Sequence, residues 1–175
     1  MPKLNPVLDE KLKVLADNVL LHHGYSVRRG HGPRSPWDQA RLWRRSRSRA
    51  VVEEAARTLS LRGAPYLSGV LLGVGPQPSG PWATNSLPGQ GWHQWLEAQD
   101  FWVVGPGGKP EWDGDHRGYQ ALAEEAARLG LTSGWFWRNK DAGHVQVRRE
   151  SGPHLLYTWP EIDSTVRSLW GDSEA

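Results

Sequence analysis

The chain contains no cysteine. This absence excludes disulfide bonds, cysteine-ligated zinc and thiol catalysis, and it is compatible with either redox compartment. No apolar run approaches the length needed to span a membrane. The N-terminal segment MPKLNPVLDEKLKVL carries scattered charges and no uninterrupted apolar stretch, so we predict that it is not a secretory signal. We therefore expect the chain to be made in the cytoplasm.

Phenylalanine and methionine are scarce, at two and one residues, whereas tryptophan occurs eleven times. Tryptophan buries a large area and carries an N–H donor, so it suits both a core and a groove that faces peptide or carbohydrate. The length of 175 residues predicts a single domain over residues 1–175 with a real core. Because no compositional break divides the sequence, we expect no separate wall-binding domain.

Acidic residues are nearly absent between Arg28 and Arg49, where eight arginines accompany one aspartate. Such a segment attracts polyanions, including nucleic acid, lipid headgroups and anionic cell wall, or it forms a solvated helix face. Nucleic-acid binding would make the affinity steeply salt-dependent, but we do not expect nucleic acid as a partner. We predict instead that the segment Arg28–Arg49 contacts an anionic envelope surface.

Apolar spacing and capping residues predict an α+β fold in which helices flank a small antiparallel sheet. The predicted helices cover residues 5–22, 35–43, 117–129 and Pro160–Trp170. After the second of them, the pattern allows a helix to begin again over Val51–Leu61. The predicted strands are Tyr25–Val27, a short apolar strand at Val70–Leu72, Glu97–Val104, Gly134–Trp137 and Val145–Val147. The stretch RRSRSR is left open as an exposed helix face or a loop.

Two histidines and two aspartates form a split pattern. Asp100 follows His93 by seven residues, and His144 follows Asp141 by three. Two imidazoles and one carboxylate are the ligand set of a catalytic zinc site that keeps a fourth position for water. The remaining carboxylate suits a general base that takes a proton from that water. These spacings alone are a weak signal, because a surface histidine and a capping aspartate are the ordinary explanation.

The surroundings of these residues resemble three motifs of the VanY-type peptidoglycan peptidases. The first family motif is Ser-x-His-x-x-Gly-x-Ala-x-Asp after a Thr-Asn stretch. The second is Asp/Glu-x-x-His after a Leu-Gly-Leu…Gly…Trp run, and an Arg-Ser-x-x-x-Gln-x-x-Leu segment lies upstream. The matching residues are Arg34, Ser35, Gln39, Leu42, Thr84, Asn85, His93, Ala98, Asp100, Leu129, Gly130, Leu131, Gly134, Trp137, Asp141, His144 and Gln146. The resemblance covers roughly residues 24–147 in the family's order.

The resemblance implies a role for each site residue. His93, Asp100 and His144 would bind Zn²⁺, and Asp141 would be the catalytic base. Arg34 would hold a substrate carbonyl or carboxylate, in keeping with bidentate recognition of carboxylates by arginine; alternatively it is one more member of the arginine-rich segment. The ligand set also suits other transition ions. The implied fold is that of hedgehog and the D-Ala-D-Ala peptidases, with the zinc on one face of the sheet.

The family includes two activities on the stem peptide of peptidoglycan. We favour a phage endolysin that acts as an L-alanyl-D-glutamate endopeptidase, waits in the cytoplasm and reaches the wall after release. A chromosomal D-alanyl-D-alanine carboxypeptidase, the alternative, should carry a signal or an anchor. A more distant alternative is a non-catalytic zinc-containing binding domain, as in hedgehog-like relatives, and the presence of Asp141 argues against it. We expect a monomer.

Two residues beside the first ligand depart from the family motif. Gly91 stands where the family has serine, and Leu96 stands where it has glycine. Loss of the serine hydroxyl would remove a hydrogen bond that orients a ligand or the substrate. The side chain of Leu96 predicts either a different local turn or a narrower pocket.

Overall fold

The computed structural model describes residues 2–171. They contain six α-helices and one five-stranded antiparallel sheet, which confirms the predicted α+β class. The helices are α1 (Pro6–His23), α2 (Pro36–Trp43), α3 (Arg49–Leu61), α4 (Pro65–Val74), α5 (Arg117–Arg128) and α6 (Trp159–Trp170). None of the helices in this part of the chain is long and apolar enough to cross a membrane.

Packing divides the chain into two compact units. The sheet unit comprises Lys3–Pro33 and Leu96–Arg149, and the helical unit comprises Arg34–Trp95 and the described residues from Glu150 onward. The strands all lie in the sheet unit and are β1 (Val27–Arg29), β2 (Ala98–Val104), β3 (Pro110–Glu111), β4 (Thr132–Ser133) and β5 (His144–Gln146). Their order is β1-β2-β5-β4, and β3 pairs with the end of β2.

Helices α1 and α5 contribute the apolar face that packs with the strands of the sheet unit. The α1 residues Leu8, Leu12, Leu15 and Val19 are buried, as their shared helix face predicts. Asn5 caps α1 by accepting a hydrogen bond from the Val7 amide, and Gly24 ends it in the left-handed conformation. The predicted boundaries of this helix are therefore confirmed to within one residue.

Helix α4 replaces the strand that the apolar run Val70–Leu72 predicted, and that prediction is wrong. A short run of apolar residues fits a buried helix as well as a buried strand. Pro65 occupies the first turn of α4, where its missing N–H costs nothing. The helix packs against α2, α3 and α6, with Leu67, Val70 and Leu71 in the core of the helical unit.

Residues Gly134–Phe136 form a single 3-10 turn, so the strand predicted over Gly134–Trp137 is also wrong. The adjacent strand is β4, two residues earlier in the chain. The Ser133 hydroxyl accepts a hydrogen bond from the Trp135 amide, which favours a turn over continued pairing.

In the segment RRSRSR, residues 44–48 form a turn between α2 and α3, Arg49 begins α3, and Arg47 is buried. The Arg47 guanidinium lies between the rings of Trp43 and Trp82, with Cζ 4.1 and 3.8 Å from the two ring centroids. It also donates to the carbonyls of Trp43 and Thr84. This arginine therefore stabilises the turn rather than contributing to an exposed basic surface.

Asp163 supplies the cap that α4 lacks in its own sequence. The residue before the helix is Ala64, which has no side-chain acceptor. The carboxylate of Asp163, on α6, accepts from the amides of Tyr66 (3.2 Å) and Leu67 (2.8 Å) in the first turn of α4. A carboxylate is favourable at a helix N-terminus because it meets unpaired N–H groups there.

We predict that Asp163→Ala lowers the free energy of unfolding by about 1–3 kcal/mol, because two buried amides lose their acceptor. Urea unfolding followed by circular dichroism measures this. Ser168→Ala, at an exposed position on the same helix, is the control and should change stability by less than about 0.5 kcal/mol. Equal stability of the two variants would contradict the capping role.

Candidate metal centre

Pairing of β2 with β5 places Asp100 directly opposite His144. Side chains at such positions point to the same face of the sheet, with their Cβ atoms about 4.5–5.5 Å apart. The His144 Nδ1 atom lies 3.2 Å from Asp100 Oδ1. The close approach of the strands requires Gly143, since a Cβ there would lie 2.1 Å from the Phe101 carbonyl oxygen.

A tight turn joins Asp141 to His144. The Asp141 amide donates to the Gly134 carbonyl (3.0 Å), and the His144 amide donates to the Asp141 carbonyl (3.1 Å). Gly134 packs beneath this turn, where an added Cβ would lie 2.5 Å from the Asp141 carbonyl oxygen. The Asp141 side chain is exposed, so the turn presents its carboxylate to solvent beside the buried His144.

His93 lies in the 3-10 turn Trp92–Trp95, directly before the chain enters β2. The turn is anchored on both sides of the histidine. Trp92 is 1% exposed and donates from Nε1 to the Glu150 carbonyl (2.7 Å), and Gln94 is fully buried. The imidazole of His93 is itself buried, so its position is fixed by neighbours that are held in place.

His93, Asp100 and His144 form a group that could hold a metal ion. Each residue offers one ligand atom, and these atoms all lie within 4.8 Å of one another. Both histidines are buried and Asp100 is half-buried. Within residues 2–171, the group defined in this way does not include Asp141.

The donor set fits zinc, and so does the spacing of the pair His144 and Asp100. Two ligand atoms at about 2.0 Å from a tetrahedral zinc ion are about 3.3 Å apart, close to the 3.2 Å between His144 Nδ1 and Asp100 Oδ1. Burial disfavours the charged form of His144, but the hydrogen bond and charge of Asp100, with the charge of Asp141, outweigh it and raise the pKa of His144. The surroundings of Nδ1 thus favour a positive charge.

Arg34 lies beside the first ligand in the helical unit. Its amide donates to the His93 carbonyl (3.3 Å), and its guanidinium donates from Nη1 to Gln39 Oε1 (3.1 Å). Gln39 is buried, and its amide nitrogen donates to the Ser86 carbonyl (2.8 Å). Hydrogen bonds therefore connect Arg34 to His93 and, through Gln39, to Ser86, so the Arg-Ser-x-x-x-Gln segment lies beside the segment that contains His93.

Two further side chains contact the second histidine. The Trp137 ring centroid lies 5.0 Å from that of His144, and Gln146 Oε1 lies 2.8 Å from His144 Nε2. Gln146 matches the family motif, but the sequence assigned no role to it. The sequence did contain a signal for this contact. Gln146 follows His144 by two residues beside a predicted strand, and residues two apart on a strand point to the same face.

Leu96 keeps a backbone conformation that favours glycine. Its φ is +63°, in the left-handed region, and its side chain is buried. A non-glycine residue in this region costs roughly 1–2 kcal/mol. The leucine side chain therefore accommodates itself to the turn after His93, and its burial offsets the backbone strain.

Gly91, the other departure, leaves a buried amide without an acceptor. The Nε2 atom of Gln94 has no hydrogen-bond partner among the described residues. A Cβ on Gly91 would lie 3.2 Å from this nitrogen, and Gly91 does not have a positive φ. A serine hydroxyl at this position is therefore within reach of the unpaired amide.

We expect Gly91→Ser to be more stable than Gly91→Ala by about 1 kcal/mol, because only serine can accept from Gln94 Nε2. The alanine variant controls for the added Cβ, which requires a small adjustment of Gln94. Urea unfolding of both variants tests this difference. If the serine variant is no more stable than the alanine variant, the serine hydroxyl does not accept a hydrogen bond from Gln94 Nε2.

Three other histidines have structural partners away from this group. His22 Nδ1 and His23 Nε2 both lie within hydrogen-bond distance of Glu125 Oε1, which joins the end of α1 to α5. His116 caps α5 by accepting from the Gly118 amide. These contacts give each of the three histidines a structural role, so none of them is needed at the candidate metal centre.

Comparison with known proteins adds no relative. No protein-family model matches the chain, and no curated protein matches it significantly. The resemblance to the VanY-type peptidases therefore remains a prediction that rests on the spaced motifs.

Proposed function

We propose that this protein is a zinc metallopeptidase that hydrolyses a peptide bond in the stem peptide of bacterial peptidoglycan. The observation that carries the proposal is the buried group His93, Asp100 and His144, with the exposed Asp141 in the adjoining turn. Two imidazoles and a carboxylate with one coordination position left open are typical of catalytic zinc sites. The same argument supports a hedgehog/D-Ala-D-Ala-peptidase-like arrangement of the zinc against the sheet.

His93, Asp100 and His144 would hold the zinc ion. When bound, zinc supplies Lewis acidity toward the scissile carbonyl and lowers the pKa of a coordinated water to about 7. Asp141 would take the proton of the attacking water and pass it to the leaving amine. Its carboxylate suits this role because it is exposed to solvent and lies near enough to His144 to raise that residue's pKa.

Arg34 would bind a substrate carboxylate. Its main chain lies beside His93, and Gln39 orients its guanidinium through one nitrogen. In an L-Ala–D-isoglutamate bond and in a D-Ala–D-Ala bond alike, the residue after the scissile amide carries a free α-carboxylate. An arginine beside His93 therefore suits either substrate.

The proposed activity is that of a phage endolysin that cuts between L-Ala and D-Glu. The alternative is removal of the terminal D-Ala, for which Arg34 beside His93 is equally suited because the terminal D-Ala also carries a free α-carboxylate. We propose an anionic envelope surface as a further partner, through those arginines of Arg28–Arg49 that, unlike Arg47, are not buried.

Digestion of purified muropeptides, followed by mass analysis, tests the proposal. Endopeptidase action releases a peptide that begins with D-Glu and leaves L-Ala on the sugar. Loss of a single alanine from an otherwise intact stem would establish the carboxypeptidase instead. Intact muropeptides after incubation with the zinc-loaded protein would exclude both activities and leave a non-catalytic zinc-containing domain.

A further inference from the structure

We infer that Gln146 is a positioning residue that fixes which nitrogen of His144 faces the metal, and that the ion pair of Glu97 with Arg148 holds Gln146 in the required orientation. The inference rests on the proposed zinc site but not on the proposed reaction. All the residues that carry it lie in the sheet unit.

Hydrogen bonds define the orientation of the Gln146 amide. Gln146 is fully buried, and its Nε2 donates to the Arg148 carbonyl at 2.7 Å. A carbonyl oxygen only accepts, so the nitrogen of the amide must be on that side. The other end of the amide, Oε1, is therefore the atom that lies 2.8 Å from His144 Nε2.

This orientation selects one tautomer of His144. Because Gln146 Oε1 only accepts, His144 Nε2 must carry a hydrogen and donate it. A neutral imidazole protonated at Nε2 has its lone pair on Nδ1. That lone pair points toward Asp100 Oδ1, 3.2 Å away, so a cation must lie between the two atoms, either the proposed zinc ion or the second proton of an imidazolium. The opposite tautomer would bring two acceptors together at 2.8 Å inside the protein, which is unfavourable.

The Arg148 carbonyl is held by an ion pair on the same residue. Arg148 donates from Nε and Nη2 to the two carboxylate oxygens of Glu97, at 2.6 and 3.1 Å. Glu97 is buried, accepts a third hydrogen bond from the Asn5 side chain, and receives the Val147 amide at its main-chain carbonyl. Paired and hydrogen-bonded in this way, Glu97 fixes the segment that follows β5.

The resulting chain of contacts connects the start of β2 to the metal side of β5. Glu97 holds Arg148, the Arg148 carbonyl orients Gln146, and Gln146 orients His144. Hydrogen bonding of the second nitrogen of a ligating histidine raises its basicity and fixes its ring. Here a neutral side-chain amide serves this purpose, so that Nδ1 is the nitrogen of His144 that would bind the ion.

The decisive measurement is zinc affinity, by competition of the full-length protein with a fluorescent chelator. Removal of a residue that orients a ligand typically weakens metal binding about 10- to 100-fold, and we expect this for Gln146→Leu. Gln146→Glu keeps an acceptor for Nε2 but loses the donor to the Arg148 carbonyl, so it should recover only part of the affinity. Gln120→Leu, at an exposed position on α5, is the matched control and should bind like the wild type.

Nitrogen chemical shifts of His144 in the zinc-loaded wild type provide a test that needs no variant. We expect a protonated Nε2 and a coordinated Nδ1. A protonated Nδ1, or equal zinc affinity for Gln146→Leu and Gln120→Leu, overturns the inference. Failure of the wild type to bind zinc would overturn the proposed metal centre itself, whereas zinc binding without peptidase activity would overturn only the proposed reaction.

Discussion

Zinc removal is expected to abolish peptidase activity completely, and activity should return when zinc is added back. Within the buried group, His144 Nδ1 and Asp100 Oδ1 approach to the separation that a tetrahedral zinc site requires. Without the ion, the proposed reaction would lose the Lewis acid that polarises the scissile carbonyl. Dialysis against a chelator, metal analysis and a wall-lysis assay on the same sample measure this effect.

Substitution of a ligand should have the same effect as the chelator. His144→Ala is expected to lose stoichiometric zinc and all measurable lysis, while His154→Ala, at an exposed position outside the metal centre, should retain both. Zinc at one hundred times its dissociation constant should stabilise the wild type by about 2.7 kcal/mol and leave His144→Ala unchanged. Full lysis by a zinc-free protein would remove the central proposal.

The stabilisation by zinc is expected to increase with pH. Asp100 and Asp141 raise the pKa of His144 against the effect of burial. In the zinc-free protein this raised pKa contributes stability below the unfolded-state pKa, and the contribution is lost as pH rises through the folded-state pKa. Zinc needs the unprotonated ring, so it binds best above that range. Urea unfolding midpoints with and without zinc, measured below and above the pKa of His144, test whether stabilisation by zinc increases with pH.

Asp141→Asn is expected to reduce peptidase activity by about 10²–10⁴-fold while zinc stays bound. The main-chain hydrogen bonds that build the turn, to Gly134 and from His144, do not involve the carboxylate. An amide of the same shape should therefore preserve the turn and the metal ligands but cannot accept a proton. Activity on muropeptides and zinc content are measured on the same preparation.

An exposed aspartate elsewhere in the sheet unit provides the control for this variant. Asp17→Asn on α1 makes the same change of charge and should leave activity and zinc content unchanged. If Asp141→Asn lyses walls as fast as the control, Asp141 is not the base. If it loses zinc, the carboxylate supports the ligands instead of the reaction.

Local signals in the sequence predicted much of the fold because their causes are local. Asn5 and Gly24 end α1 through hydrogen bonds and a backbone conformation that depend on their own residue type. Ser35 likewise caps α2 by accepting from the Asp38 amide. The run at Val70–Leu72 was ambiguous because its apolar residues suit either a helix or a strand, and only packing against other helices decides.

By itself the sequence determined the chemical types at the candidate metal centre. Residue identity and spacing pointed to two imidazoles, a ligating carboxylate and a separate carboxylate three residues before the second histidine, and the resemblance to the VanY-type motifs implied their roles. Comparison with the family motif also marked Gly91 and Leu96 as the unusual positions. Both have local consequences, an amide without an acceptor and a leucine with positive φ.

Only the tertiary structure decided which atoms meet. The register of β2 with β5 places Asp100 opposite His144, and a shift of one residue would have turned them to opposite faces. The burial of Arg47 between two tryptophans removes it from the basic segment. The contact of Gln146 with His144 selects one tautomer. Register, burial and proton position depend on partners distant in the sequence, so residue spacing alone does not specify them.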